Sequence, residues 1–375
     1  MLLTADQEAI RDAVRAFARE QLWPHAARWD REHHFPREAH QGLAALGAYG
    51  LCVPEEFGGA DLGYLGLALV IEEIAAGDGG TSTAISVTNC PVNAILLAHG
   101  TPQQQRHWLP RLARGELLGV FCLTEPHVGS DASALRTTAV RDGDGYVLNG
   151  VKQFITSGQN GSLAVVIAVT DKGAGKKGMS AFLVPTDTPG YVVARLEEKL
   201  GQRSSDTAQI NFDNCRVPAD NLIGAEGEGY RIALSSLEGG RIGIAAQSVG
   251  MARSALEVAV AYAKERESFG TAIINHQGVG FRLADCATRL EAARQLIWHA
   301  AVLRDAGRPC LKEAAMAKLF ASETAEAVCS AAIQTLGGYG YVNDFPVERI
   351  YRDVRVCQIY EGTSDVQKII IQRAL

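Results

Sequence analysis

A chain of 375 residues is too long for one small core and suits two or three packed domains. Hydrophobic residues at 47% and charged residues at 21% are globular proportions, which excludes extensive disorder. With 36 basic and 42 acidic residues the net charge is −6, which argues against nucleic acid or an anionic membrane surface as the main partner but leaves room for a phosphate group held locally.

The first third reads as helical. MLLTADQEAIRDAVRAF places Thr4 and Gln7 in a capping-box pattern, and Ile10, Val14, Phe17 and Ala18 then share a face. It lacks the basic flank and unbroken apolar stretch of a secretory signal. Pro36 can start a second helix and Gly50 can end it; Leu65–Ala76 reads as a third and Thr81–His99 as a fourth. Gly100-Thr101-Pro102 stops one helix and starts the next, and Gln104 completes a second capping box.

From about Phe121 to about Pro218 the texture changes to runs of Val, Ile, Phe and Tyr between Gly, Asn and Asp turns. GDGYVLNGVKQFI reads as strand, turn, strand. SLAVVIAVT, MSAFLVP, YVVARL and TAQINF follow at spacings typical of an antiparallel sheet or small barrel, with DKGAGKKG as a surface loop. The most apolar run, Leu163–Val169, is far too short to span a bilayer.

From about Tyr230 the chain is helical again. One helix runs to about Arg266, one from His276 to about Ala306, and one from Leu311 to about Leu336; a short one begins near Ser364, where Ser364 and Gln367 form a third capping-box pattern. Four helices with few breakers suggest an antiparallel bundle. The expectation is an α+β chain of three domains: an N-terminal helical domain over 1–116, an antiparallel β-barrel-like domain over 117–226, and a C-terminal four-helix bundle over 227–375. There is no βαβ alternation and no G-x-G-x-x-G or G-x-x-x-x-G-K-[ST], so Rossmann and P-loop sites have no support. The eight cysteines are scattered without a C-x-x-C, and His33, His34, His276 and His299 lack ligand partners at suitable spacing. Neither a disulfide framework nor a metal site is expected, and a cytoplasmic, reducing setting fits.

Four segments look unlike ordinary packing. They are Phe121–Asp131 (FCLTEPHVGSD), Lys152–Gly158 (KQFITSG), Gln334–Tyr341 (QTLGGYGY) and Ile359–Asp365 (IYEGTSD). Together with PEEFGGADLG, AYAKERESFG, HQGVGFRLAD and PVERIYRDVRVCQIYEGTSDVQ, in this order, they make the chain resemble the acyl-CoA dehydrogenases over nearly its whole length, most of all the short-chain and short-branched-chain members.

The resemblance implies an FAD enzyme that converts a short acyl-CoA, straight or α-branched, to its trans-2-enoyl-CoA. Glu361 matches the base that removes the α-proton. Phe121, Leu123, Thr124 and Ser130 match the loop around the flavin ring, and Phe154 and Thr156 the pair that flanks it; many members carry Trp at the position of Phe154. Arg266, Phe269, Gln277, Gln334, Gly337 and Gly338 match contacts to the FAD of a neighbouring subunit, and Thr363 and Asp365 belong to the same cofactor end. Ser130, Glu238, Arg241, Tyr360 and Gly362 match positions that touch the acyl-CoA, with Glu238 where short-chain members are expected to carry Asp. A minority of members place the base immediately before the residue matching Arg241, where this chain has Gly240. The resemblance also implies electron-transfer flavoprotein as the electron acceptor and a homo-oligomer, a dimer of dimers, with no membrane or nucleic-acid role.

Other readings stand beside these. A lone loop Glu is ordinarily solvated; Thr363 and Ser364 can be caps alone, Arg266 a surface ion-pair residue, and Gly337-Gly338 a C-cap. At the level of function, the rivals are a flavin oxidase or monooxygenase on the same fold, and a non-catalytic interaction protein built on it.

Overall fold

The computed structural model describes residues 3–375. Helix α1 (Ala5–Phe17) starts at a complete capping box, with the Gln7 N–H donating to the Thr4 hydroxyl at 3.2 Å and the Thr4 N–H to the Gln7 side chain at 3.0 Å. It runs through a wider turn, Ala18–Leu22, into α2 (Trp23–Glu32). After α3 (Arg37–Ala45) comes α4 (Gly63–Gly77), apolar and buried on almost every side. Asp78 caps α5 (Gly79–Val87), accepting the Thr81 N–H at 2.8 Å.

The expected fourth helix, Thr81–His99, is not one piece. After α5 the segment Thr88–Asn93 contains Cys90 in an extended conformation (φ −141°, ψ 109°) before Pro91, and α6 (Ala94–His99) follows. Pro91 lacks the N–H a continuous helix needs and drives the preceding residue out of the helical region. Helix α7 (Pro102–Ala113) opens on the Thr101/Gln104 capping box.

The strands are β1 (Gly119–Cys122), β2 (Thr138–Asp142), β3 (Gly145–Thr156), β4 (Leu163–Val169), β5 (Met179–Pro185), β6 (Tyr191–Leu196), β7 (Thr207–Pro218) and β8 (Leu222–Ile223). They form one sheet in the order β6-β7-β3-β2-β4-β5-β8, with β1 also on β4. Pairing is antiparallel except that β1 and β2 both meet β4 in parallel, which departs from the wholly antiparallel expectation. The strand–turn–strand reading of GDGYVLNGVKQFI, with Asn149-Gly150 as its turn-like pair, is a second correction. Strand β3 continues through it, opposite a bulge in β7 where Leu148 pairs with Cys215 and Gly150 with Phe212. Gly150 (φ +150°) is needed there because a Cβ would lie 2.5 Å from the Thr137 hydroxyl oxygen. The hairpin turn lies earlier, between Asp142 and Gly145.

The apolar run of β4 follows from double-sided burial. Leu163, Val165 and Ile167 enter a core shared with Leu109 and Leu112 of α7, whereas Ala164, Val166 and Ala168 enter one shared with Leu148 and Phe182.

The last third comprises α8 (Gly229–Glu265), a small hairpin of β9 (Glu267–Ser268) and β10 (Thr271–Ala272), α9 (Gln277–Asp305), α10 (Leu311–Leu336), the short α11 (Gly338–Tyr341), α12 (Val347–Val354) and α13 (Ser364–Arg373). The third capping box is also corrected. The N-cap of α13 is Thr363, whose hydroxyl accepts the Val366 N–H at 3.3 Å, while Ser364 Oγ is buried without a partner. The first and last regions share one core, in which Leu67, Ile71 and Ile74 of α4 belong with Ile242 and Val249 of α8 and Ala321 and Val328 of α10. Gly250 lets α8 cross α4 closely, since a Cβ there would sit 2.1 Å from the Glu72 carbonyl oxygen. Buried Glu72 and Glu73 are met by Arg294 (2.9 Å) and by Arg253 and Arg15 (2.6 and 2.8 Å). The N-terminal end of α8 rests on the sheet, with Gly229 against the backbone of Ser180. Its 37 residues then carry it about 55 Å away.

All eight cysteines are free. No described helix is long and apolar enough to cross a membrane, and no described group of His, Cys, Asp or Glu is arranged to hold a metal ion.

Candidate active site

Glu361 lies on the short loop between the turn Arg355–Gln358 and α13. Glu361 (φ +54°) and Gly362 (φ +85°) are both left-handed, an arrangement a non-glycine residue keeps only when its surroundings impose it. Two buried side chains do so. Lys318 Nζ, from α10, donates to the Gly362 carbonyl at 2.8 Å. Gln367 Nε2 donates to the Glu361 and Gly362 carbonyls at 3.1 and 2.8 Å. The N–H groups of Glu361, Gly362 and Thr363 have no acceptor among the described residues.

The Glu361 carboxylate lies over Gly240 of α8, close enough that a Cβ at 240 would come within 2.7 Å of Oε2. That oxygen is shielded from solvent and has no hydrogen-bond partner. Burial pushes the Glu361 carboxyl up to about 7, against the opposing pull of the Arg241 and Lys318 charges. Arg241 is itself buried, with Nε and Nη1 unpartnered, and burial holds its pKa down. Burial also lowers Lys318 to about 8. A half-buried carboxylate with one shielded oxygen, titrating near neutrality beside a glycine and free N–H groups, can take a proton from a carbon acid if those N–H groups stabilise its developing negative charge.

Two expected substrate contacts are already committed within the chain. The Tyr360 hydroxyl accepts from Gln202 Nε2 at 3.2 Å and donates to Gln247, whose Nε2 reaches Ser82 and Thr83 at 2.8 and 2.6 Å. Glu238 accepts from Arg304 at 2.5 Å and from the Cys310 thiol at 3.1 Å. Tyr360 therefore braces the loop from inside, and Glu238 is tied to α9.

The expected flavin loop is fixed by an ion pair. Lys152 on β3 is wholly buried, and its Nζ donates to Glu125 at 2.9 Å and to the Leu123 carbonyl at 2.9 Å. Glu125 also accepts the N–H groups of Arg136 (2.8 Å) and Thr137 (3.0 Å). Burial works to raise Glu125, but Lys152 and Thr137 outweigh it and hold the carboxyl below its ordinary value. The Gln153 N–H reaches the Thr124 carbonyl at 2.9 Å, joining the loop to the strand. Just beyond, β3 carries an extra residue opposite β7, and Phe154 (φ +58°) is turned outward, 62% exposed. Thr156 follows. The side-chain hydroxyls of Thr124, Ser130 and Thr156 have no partner among the described residues, and Phe121 and Leu123 are half-buried beside them in sequence. Unclaimed hydroxyls and an outward aromatic face suit a flavin ring.

The second set lies at the far end of α8. Arg266 follows the helix, and Phe269 (φ +50°) and Gly270 (φ +80°) form the two-residue turn of the β9–β10 hairpin. Phe269 is fully exposed. Gln277 begins α9; Gln334 lies in the last turn of α10, and Gly337 (φ +62°) ends that helix before Gly338. Tyr262 and Tyr339, with ring centroids 6.3 Å apart, bring the two turns together. The side chains of Arg266, Gln277, Gln334 and Asp365 make no hydrogen bond or ion pair among the described residues, so they too fit a role toward a bound group.

The sequence reading missed Lys318, Gln367 and the Lys152–Glu125 pair. A signal existed for two of them. Lys318 interrupts the apolar stripe Ala314, Ala317, Ala321, Ala325 of a helix, and Lys152 stands in a half-apolar strand.

Residues 4–116, 120–215 and 227–375 match the family models described as acyl-CoA dehydrogenase N-terminal, middle and C-terminal domains. The chain is 46% identical over 369 residues to the short-chain specific mitochondrial acyl-CoA dehydrogenase of Rattus norvegicus, covering 98% of this chain and 90% of that protein. Among solved structures it resembles butyryl-CoA dehydrogenase from Megasphaera elsdenii (TM-score 0.98, 38% identity, 100% and 99% of the two chains). It equally resembles a chain from the structure reported for the electron transferring flavoprotein of Acidaminococcus fermentans (TM-score 0.98, 44% identity, 100% and 98% covered).

Proposed function

Because the chain belongs to the acyl-CoA dehydrogenase family, whose members are FAD-dependent oxidoreductases, we propose that it dehydrogenates a short-chain acyl-CoA to the trans-2-enoyl-CoA with Glu361 as the base. The observation that carries this reading is the half-buried, unpartnered Glu361 carboxylate over Gly240, with Oε2 shielded from solvent and its pKa raised to about 7.

The α-C–H of a thioester is weakly acidic, so its proton leaves only if the enolate oxygen is stabilised as charge develops. Glu361 takes the proton onto its carboxylate. The free N–H of Glu361 would donate to the thioester oxygen, and Gly362 after it allows the ligand close backbone approach. Arg241 and Lys318 keep enough of the carboxylate ionised near neutral pH for it to act. Bound FAD supplies the acceptor for the β-hydride. Phe121, Leu123, Thr124, Ser130, Phe154 and Thr156 would hold its ring end; Thr363 and Asp365 lie at the start of α13, where free N–H groups favour a phosphate or carbonyl.

Straight four-carbon and α-branched acyl groups are both within this proposal. Arg266, Phe269, Gln277, Gln334, Gly337 and Gly338 lie at the end of α8 remote from the sheet, so they would serve the FAD of another copy, which calls for a dimer or a dimer of dimers. Electron-transfer flavoprotein is the acceptor the reading favours, and free thiols throughout suit a reducing cytoplasm.

The test is an anaerobic titration of the FAD-loaded protein with a panel of acyl-CoAs, followed at the oxidised-flavin absorbance. Bleaching by a short member, and its loss by more than about a thousandfold in rate in Glu361→Gln with FAD retained, supports the reading. No bleaching by any member would sink it, and rapid oxygen consumption by the reduced protein would move it to an oxidase.

A further inference from the structure

The turn that carries Glu361 is held from outside by two buried donors, and we propose that Lys318, acting with Gln367, is a positioning residue that sets the peptide planes of the base loop for enolate formation. This rests on the reading of Glu361 as the base.

Lys318 is wholly buried on the apolar stripe of α10 and makes no ion pair among the described residues. Its one hydrogen bond goes to the carbonyl of Gly362, the residue after the base. A buried ammonium is costly and persists where its bond matters to the surroundings. Here the cation is directed at a main-chain oxygen rather than at a carboxylate. The charged and titratable groups around it are Cys357, Glu361, Arg241 and Glu323. Gln367, also wholly buried, reaches the same oxygen and that of Glu361.

In a trans peptide the N–H points opposite to the C=O. Pinning the Glu361 and Gly362 oxygens therefore fixes the direction of the Gly362 and Thr363 N–H groups, neither of which has an acceptor within the described chain. It also holds Glu361 at its left-handed φ of +54°, which aims the carboxylate at the space over Gly240. The Glu361 N–H, which the proposed chemistry directs at the thioester oxygen, lies on the preceding peptide, so Lys318 and Gln367 set it through the Glu361 φ that they hold. Lys318 touches no reacting atom in this scheme; it acts through the loop.

The experiment compares FAD-loaded wild type, Lys318→Met, Gln367→Met and the double variant. Three quantities are read: the limiting rate of flavin reduction by butyryl-CoA, the apparent affinity for it, and the deprotonation of a bound acyl-CoA with sulfur in place of the β-methylene. That analogue can lose its α-proton but cannot be dehydrogenated. Lys318→Met is expected to lower the limiting rate by about 10- to 100-fold, to change affinity by less than about threefold, and to make deprotonation of the analogue about tenfold less favourable. The double variant should lose less than the product of the single losses, because both donors serve one oxygen. If Lys318→Met melts lower yet its folded fraction reduces and deprotonates like wild type, Lys318 is packing only and the proposal is overturned. If Lys318→Met does not fold, Gln367→Met carries the same expectation. If wild type itself is not reduced, the base assignment fails first; if wild type is reduced and the variants match it, only the positioning role fails.

Discussion

At Glu361 function and stability pull against each other. Burial raises this carboxyl from 4.5 to about 7, so between those values the folded chain holds a proton that the unfolded chain has released. The group's contribution to stability is therefore fully present below about 4.5 and is lost as pH rises through about 7. Glu361→Gln removes the penalty. The variant should melt above wild type at pH 8, by at most about 3 kcal/mol, with the gap closing toward pH 4.5. Calorimetry of the two proteins across that range checks it; a variant that melts lower at pH 8 would place the cost elsewhere. The sequence made this residue legible through its IYEGTSD context, but not the commitments of its neighbours. Nothing in a one-dimensional pattern says that the Tyr360 hydroxyl is occupied by Gln202 and Gln247, or Glu238 by Arg304.

Among the elements, helix–sheet–helix order was readable because helical and strand periodicities differ and because Gly, Pro and capping residues punctuate them, as at Gly100-Thr101-Pro102. The misreadings arose where a distant partner overrode a local cue. Asn149-Gly150 has turn chemistry, yet β7 supplies the irregularity and β3 runs on. Ser364 fits a cap, but the left-handed Glu361-Gly362 pair brings Thr363 into that place and draws Gln367 back onto the loop. Short α12 passed unnoticed among turn residues, although Val347, Ile350 and Val354 bury one face of it. The junction of β1 and β3 offers an element-scale test. Lys152→Met would leave Glu125 buried without its cation, which should cost about 3–5 kcal/mol and loosen FAD; adding Glu125→Gln should recover much of that. Thermal melts with flavin fluorescence read both, and equal melting of single and double variants would mean the pair does not fix the loop.

Over the whole molecule, the two sets of expected FAD contacts lie near opposite ends of α8, a helix of 37 residues. Phe269, fully exposed, contributes nothing to its own chain's core. Phe269→Asn keeps a residue that tolerates φ +50°. It should leave the melting of the FAD-free chain within about 0.5 kcal/mol of wild type, yet weaken FAD retention and shift elution toward smaller species. Unchanged retention would remove Phe269 from the cofactor site. Two segments far apart in the chain compete for one spot, since even a methyl at 240 would meet the carboxylate. A carboxylate added at 240 with Glu361 retained would set two like charges in one small space, so one of the two side chains would have to swing away.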